Sequence, residues 1–283
     1  MHNKIALYIT PYEGPKSYND MIDIAIENGI KNIEPVVSYE FRTPDVEYAK
    51  EFRRRVDDAG INVPCFSIGV NLVDEGREDA IERAKRYAEV AAIVGSPYLH
   101  HTIAYSCDSP TYTRENFDRL FNEGIEGVRE VHDYAKTLGI KTIFEDQGFV
   151  FNGVEHMQRF FDTVDRDCGL VADFGNIAYA DGRIEDFIKA FPDKIEHAHM
   201  KDIKYFDKND PNKRGGVTYN YNFVEGCAFG DGYVDFDAAF SALKEIGYDG
   251  YFAIEGYFYV EDPKKSFYKN LEIANYYLEK YGF

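Results

Sequence analysis

Residues 115–147 read ENFDRLFNEGIEGVREVHDYAKTLGIKTIFEDQ, and the three parts of that run decide the fold. Apolar residues recur at helical spacing from Glu115 to Leu138, Gly139 stands where a left-handed residue ends a helix, and Thr142–Gln147 is a short apolar strand closing on acids. The same unit repeats outward in both directions. Strands are expected at Ile5–Thr10, Asn32–Val37, Val63–Gly69, Tyr98–Ala104, Leu170–Phe174, Ile195–Lys201 and Tyr251–Tyr257. Helices are expected at Tyr18–Asn28, Val46–Ala59, Glu78–Val94, Val154–Val164, Ile184–Phe191, Phe236–Ile246 and Lys264–Lys280, with Gly29, Gly60, Gly95 and Gly247 repeating the glycine stop. Eight strand–helix units of roughly 30–35 residues use the whole length, with no Pro/Ser-rich linker between them. The expectation is an α/β protein, one (β/α)8 TIM-barrel domain over residues 1–283, with one long loop after strand seven.

Composition narrows the classes of function. The 283 residues are 45% hydrophobic and 29% charged, with 23 Tyr, 22 Phe and no Trp, which excludes disordered and disulfide-scaffold chains. A net charge of −18 repels phosphate backbones, so no nucleic-acid partner is expected. No apolar run reaches the roughly 20 residues of a membrane helix, and the start Met1-His2-Asn3-Lys4 lacks a signal-peptide pattern, so the expected address is cytoplasmic. Cys65, Cys107, Cys168 and Cys227 form no CxxC pair and read as reduced structural thiols. Nucleotide-binding glycine loops, GxSxG and HExxH are absent from the sequence.

The exceptional connection, Asp202 to Asp235, is rich in Gly, Asn, Lys and Tyr. Its Ile203–Phe229 part is expected to cover a substrate, with Lys204, Lys208, Lys213 and Arg214 as candidates to receive a phosphate; a solvated loop or a contact in a homo-oligomer is the competing reading.

Barrel chemistry gathers at the C-terminal ends of strands, so ionisable residues set there against apolar patterns are the informative ones. They are Glu34 on strand two, His100-His101 on four, Glu145 on five, Asp173 and the following Asn176 on six, His197, His199 and Lys201 on seven, and Glu255 on eight. A carboxylate buried in a strand must be paired, neutralised or bound to metal. Glu145, Asp173, His199 and Glu255 come from four consecutive strands and converge above the barrel axis, the arrangement of a metal site. Three carboxylates and an imidazole suit one divalent ion, Mn²⁺ first, with Mg²⁺, Co²⁺ or Zn²⁺ competing. Strand alternation lets His197 and His199 face one way, with His197 a deeper polar contact, and points only one of His100 and His101 inward.

At these residues the chain resembles the xylose-isomerase-like TIM barrels, the sugar phosphate isomerase and epimerase superfamily that also contains endonuclease IV. The resemblance runs along nearly the whole chain and is most specific at His197-Ala-His199-Met-Lys201-Asp202, at Gly230-Asp231-Gly232-Tyr233-Val234-Asp235-Phe236 and at Ile254-Glu255. It implies Glu145, Asp173, His199 and Glu255 as metal ligands, with Glu145 and Glu255 also carrying protons as catalytic groups. It makes Glu34 an acceptor for a substrate hydroxyl, with an ion pair to a neighbouring loop Lys or Arg as the competing reading, and leaves Asn176, where many relatives have a His, as a polar substrate contact. Lys201 either anchors a substrate oxygen or pairs with Glu255 or Asp202. The implied activity is isomerisation or epimerisation of a small ketose, keto-polyol or other carbohydrate derivative, the ion polarising a carbonyl on the way to an enediolate. The same site serves a dehydratase or lyase acting on a keto-sugar, keto-inositol or glycoside, with an inward His100 or His101 as acid or base. A non-catalytic sugar-binding barrel ranks lower. So does a DNA-repair enzyme of the endonuclease IV type, because Ser67 and Asp231-Gly-Tyr233 stand where its further zinc ligands belong.

Overall fold

The computed structural model describes residues 2–8, 15–104, 113–256 and 262–283. The barrel strands are β1 (Ile5–Tyr8), β2 (Asn32–Glu34), β3 (Phe66–Ile68), β4 (Tyr98–His101), β5 (Lys141–Glu145), β6 (Gly169–Asp173) and β7 (Ile195–Met200). An insertion of β8 (Asp202–Phe206), β9 (Gly216–Val217) and β10 (Phe223–Cys227) precedes the last barrel strand, β11 (Phe252–Ile254). Neighbouring barrel strands pair in parallel in the order β2-β1-β11-β7-β6-β5-β4-β3. Between β3 and β2 the ring is drawn together by single contacts, Ser67 N–H to the Pro35 carbonyl at 2.8 Å and Ile33 N–H to the Asn62 carbonyl at 2.9 Å. Pro35 carries no N–H to give a ladder, which explains why β2 stops at Glu34, short of the expected Val37.

The helices are α1 (Tyr18–Glu27), α2 (Val46–Ala59), α3 (Arg77–Val94), α4 (Phe117–Thr137), α5 (Val154–Val164), α6 (Ile184–Ala190), α7 (Phe236–Glu245) and α8 (Pro263–Tyr281). Asp45 begins α2 by accepting from the N–H groups of Glu47 and Tyr48, and Gly60, at φ +64°, ends it. Asp262 and Pro263 start α8 in the same spirit, a capping carboxylate before a residue that needs no N–H partner. Apolar helix faces pack on the outside of the barrel. Tyr18, Phe41, Phe52 and Phe66, for example, meet edge to face at ring separations of 4.9–5.5 Å.

Two expectations need correction here. The barrel strands are shorter than the apolar runs, because those runs continue into loops on the C-terminal rim; the ends Thr10 and Tyr257 lie outside the described residues. Nor is the stretch after β7 an irregular loop, since β8, β10 and β9 form an antiparallel sheet of three strands in that order. Cys65, Cys168 and Cys227 are buried free thiols, and Cys107 lies outside the described residues. Among the described residues no helix is long and apolar enough to cross a membrane.

Candidate active site

Register brings the strand ends together. Asp173 pairs with His199 across β6 and β7, His199 pairs with Ala253 across β7 and β11, and the Glu255 N–H reaches the Met200 carbonyl at 3.0 Å. One donor atom each from Glu145, Asp173, His199 and Glu255 lies within 4.8 Å of the others. A common ion at about 2.0–2.4 Å from each ligand accommodates such separations.

The orientation of His199 decides how this cluster works. Its Nε2 lies 3.0 Å from Glu34 Oε1, while Nδ1 faces Glu255 at 3.0 Å, Glu145 at 3.7 Å and Asp173 at 3.9 Å. The Nδ1 atom is buried without a hydrogen bond. A carboxylate that accepts from one ring nitrogen leaves the other to present its lone pair, the usual support for a ligating imidazole. A divalent ion therefore fits these residues. The field points the same way: burial opposes charge on His199, yet Glu34 and the neighbouring carboxylates of Glu145 and Glu255 raise its pKa well above the ordinary value. Where no ion balances the carboxylates, a proton on His199 does so. Lys201 contributes as well, its Nζ lying 2.7 Å from both Asp173 and Glu255.

Glu34 is the hub of a second layer. Its Oε2 accepts from His197 Nε2 at 2.7 Å, and Oε1 takes the Ser67 hydroxyl in addition to His199. Burial pushes its carboxyl up, but the two imidazoles outweigh that and hold it well below the usual carboxylate range. Ser67 spends its hydrogen on Glu34, so its oxygen receives the Nδ1–H of His100 at 2.9 Å. That leaves His100 Nε2 with the lone pair, 3.7 Å from Glu145 and otherwise without a hydrogen bond. Burial lowers the His100 pKa to about 3, although Glu145 acts in the opposite sense, so the ring is neutral.

Above the cluster opens a cavity of about 450 Å³ walled by Tyr8, Ser67, His100, Glu145, Gln147 and Glu255 among others. Its described lining contains no Lys or Arg. Of the strand-four pair, His100 faces this space. His101 points outward, its ring 4.6 Å from Phe144 and its Nδ1 3.0 Å from the Thr102 carbonyl, and so leaves the set expected to meet a substrate. Glu34 and His197 are enclosed beneath the cluster, and Asn176 Oδ1 accepts from Lys201 at 3.1 Å, all three away from the cavity wall. No described residue of 203–229 lines this cavity either. Two of the cations of that stretch are occupied within it, Arg214 on Glu225 and Lys213 over the Phe223 ring. Tyr8 and Gln147 escaped the sequence reading. Tyr8 ends β1, and its ring sits 5.1 Å from that of His199; its place at a strand end was the available signal.

The family model described as xylose isomerase-like TIM barrel matches residues 22–276. A protein of Lactiplantibacillus plantarum described as inosose dehydratase is 25% identical over 210 residues, spanning 69% of this chain and 67% of that one. Further inosose dehydratases match over only about half of their length. Among solved structures, a xylose isomerase domain protein from Planctomyces limnophilus superposes with a TM-score of 0.78 at 20% identity, over 99% of this chain and 98% of that one. The IOLI protein with a bound zinc atom gives 0.76 at 19%, over 98% and 99%. These two likenesses establish the fold.

Proposed function

The chain belongs to the xylose isomerase-like TIM barrel family, and from that premise we propose that it is a metal-dependent lyase that dehydrates a small, unphosphorylated keto-polyol of the keto-inositol kind. One observation carries the choice: a neutral His100 on the cavity wall presents an unprotonated Nε2 beside Glu145. Glu145, Asp173, His199 and Glu255 would hold the ion, Mn²⁺ first, which when bound supplies Lewis-acid polarisation of the substrate carbonyl. His100 Nε2 accepts the proton from the carbon next to that carbonyl. The electron pair so released forms a C=C bond as the β C–O bond breaks, and the departing hydroxyl takes the proton back from His100 and leaves as water. Glu145, 3.7 Å away, stabilises the imidazolium in between. Glu34 and Ser67 hold the His100 and His199 tautomers in which these atoms point correctly. The relatives described as inosose dehydratases support this order of preference. The absence of Lys and Arg from the described cavity wall favours a substrate without phosphate.

Epimerisation is the second reading, favoured by the presence of two glutamates, Glu145 and Glu255, in the same cluster. Incubation of Mn²⁺-loaded enzyme with keto-inositols, ketoses and sugar phosphates in D₂O, followed by NMR, separates the two. Dehydration gives loss of water from a keto-inositol, and His100→Gln removes it while keeping the metal. Deuterium entering a product of unchanged formula, with His100→Gln still active, would install the epimerase instead.

A further inference from the structure

The inserted sheet, which stays off the inner cavity, builds one wall of a second cavity. This outer space holds about 670 Å³, with Arg114, Phe117, Phe149, His156, Tyr219 and Tyr221 in its walls. One turn after β5 contributes to both cavities, Gln147 lining the inner and Phe149 the outer. The Gln147 N–H meets the Phe151 carbonyl at 3.1 Å and closes that turn.

The outer walls are fixed in place. Tyr219, in the turn between β9 and β10, donates its hydroxyl to the Phe149 carbonyl at 2.7 Å, and its N–H meets the Tyr179 carbonyl at 2.9 Å. Asp181 holds the other side of the turn, accepting from the Tyr205 hydroxyl at 2.7 Å and from the Thr218 hydroxyl and Asn220 N–H at 2.8 Å. The Phe117 and His156 rings stand 4.7 Å apart, and the Phe149 and Tyr219 rings 5.8 Å. Tyr221 is the telling residue. It is 73% exposed and has φ +66°, a backbone conformation suited to glycine or asparagine, so neither burial nor backbone preference accounts for a tyrosine there.

Flat aromatic faces with polar groups at their edges, here Arg114 and His156, match a pyranose ring, which has an apolar C–H face and a hydroxyl rim. We infer that the outer cavity is a subsite for a second pyranose ring, so that the substrate is a glycoside with its keto-polyol ring over the Glu145–Asp173–His199–Glu255 cluster. Which ring takes the inner place rests on the proposed function. The outer subsite makes the insertion a specificity element that works beside the reacting ring.

The test is calorimetric binding of glucose, myo-inositol, cellobiose, maltose and phenyl β-D-glucopyranoside to the full chain and to Tyr221→Asn, a change that suits the local backbone. At least one disaccharide should bind the parent protein about tenfold more tightly than glucose. Tyr221→Asn should reduce that ligand to the level of glucose and leave glucose and myo-inositol as they were. Equal affinities for one-ring and two-ring ligands overturn the inference. So does an advantage for the phenyl glucoside alone, or a loss in Tyr221→Asn that one-ring ligands share. Binding is read without turnover, so this result stands or falls separately from the elimination experiment.

Discussion

Glu34 shows how much of the site depends on a residue that is no part of the expected ligand set. The family resemblance implies a substrate-hydroxyl acceptor at Glu34; which groups surround it depends on register across β2, β3 and β7, and nothing in the strand's own residues reports it. In the fold its two oxygens set three tautomers, those of His197 and His199 directly and that of His100 through Ser67. Glu34→Gln puts an N–H donor where an acceptor is required, so affinity for Mn²⁺ should fall about 10–100-fold, read by competition with a chelator; unchanged affinity would show that His199 is oriented by other means. A second expectation follows from the raised pKa of His199. At neutral pH the ion must displace a proton from Nδ1, so affinity should rise with pH up to that raised value and level off above it. Calorimetry in buffers of different ionisation enthalpy should register about one proton released per ion bound, and none if His199 is already neutral.

Elements with local signals were legible and those set by pairing were not. The bounds of α2 and α5 agree with the expected Val46–Ala59 and Val154–Val164, because the apolar periodicity lies within each segment, with Asp45 and Gly60 flanking α2 as cap and stop. The composition of β8 to β10, dominated by glycine, asparagine and lysine, predicts a loop, whereas what makes it a sheet is the pairing of Val224 with Tyr205 and with Gly216. The following turn is organised by Asp202, buried at the start of β8, which accepts from the N–H groups of Gly230, Gly232 and Val234. Gly232 belongs to the segment that carried the family resemblance, and its reason for being glycine is steric. A Cβ there would lie 2.1 Å from Asp202 Oδ1 and 2.4 Å from the Ile203 carbonyl oxygen. Gly232→Ala should therefore cost about 2 kcal/mol in urea unfolding, the scale of forced overpacking. A change within a few tenths of a kcal/mol would mean that the turn moves freely.

At the scale of the molecule, the barrel joins residues far apart in sequence into one electrostatic object. Four of the eight barrel strands, closing in the order β11-β7-β6-β5, deliver three carboxylates and an imidazole to one place in a chain of net charge −18. Among the described residues Lys201 is the lysine set against two of those carboxylates, and a single ammonium cannot balance the cluster that the ring of strands assembles. The fold was legible because eight similar units leave few ways to close. The cluster was legible because acids at strand ends contradict their apolar strands, while the outward turn of His101 and the enclosure of Glu34 had to await the three-dimensional register. The central claim is that this ring of strand ends is a divalent metal centre. Elemental analysis of protein purified without chelator, alongside Glu145→Gln and Asp173→Asn, measures it most directly. The parent protein should carry about one divalent ion per chain and each variant far less, whereas equal metal content in all three would contradict the account.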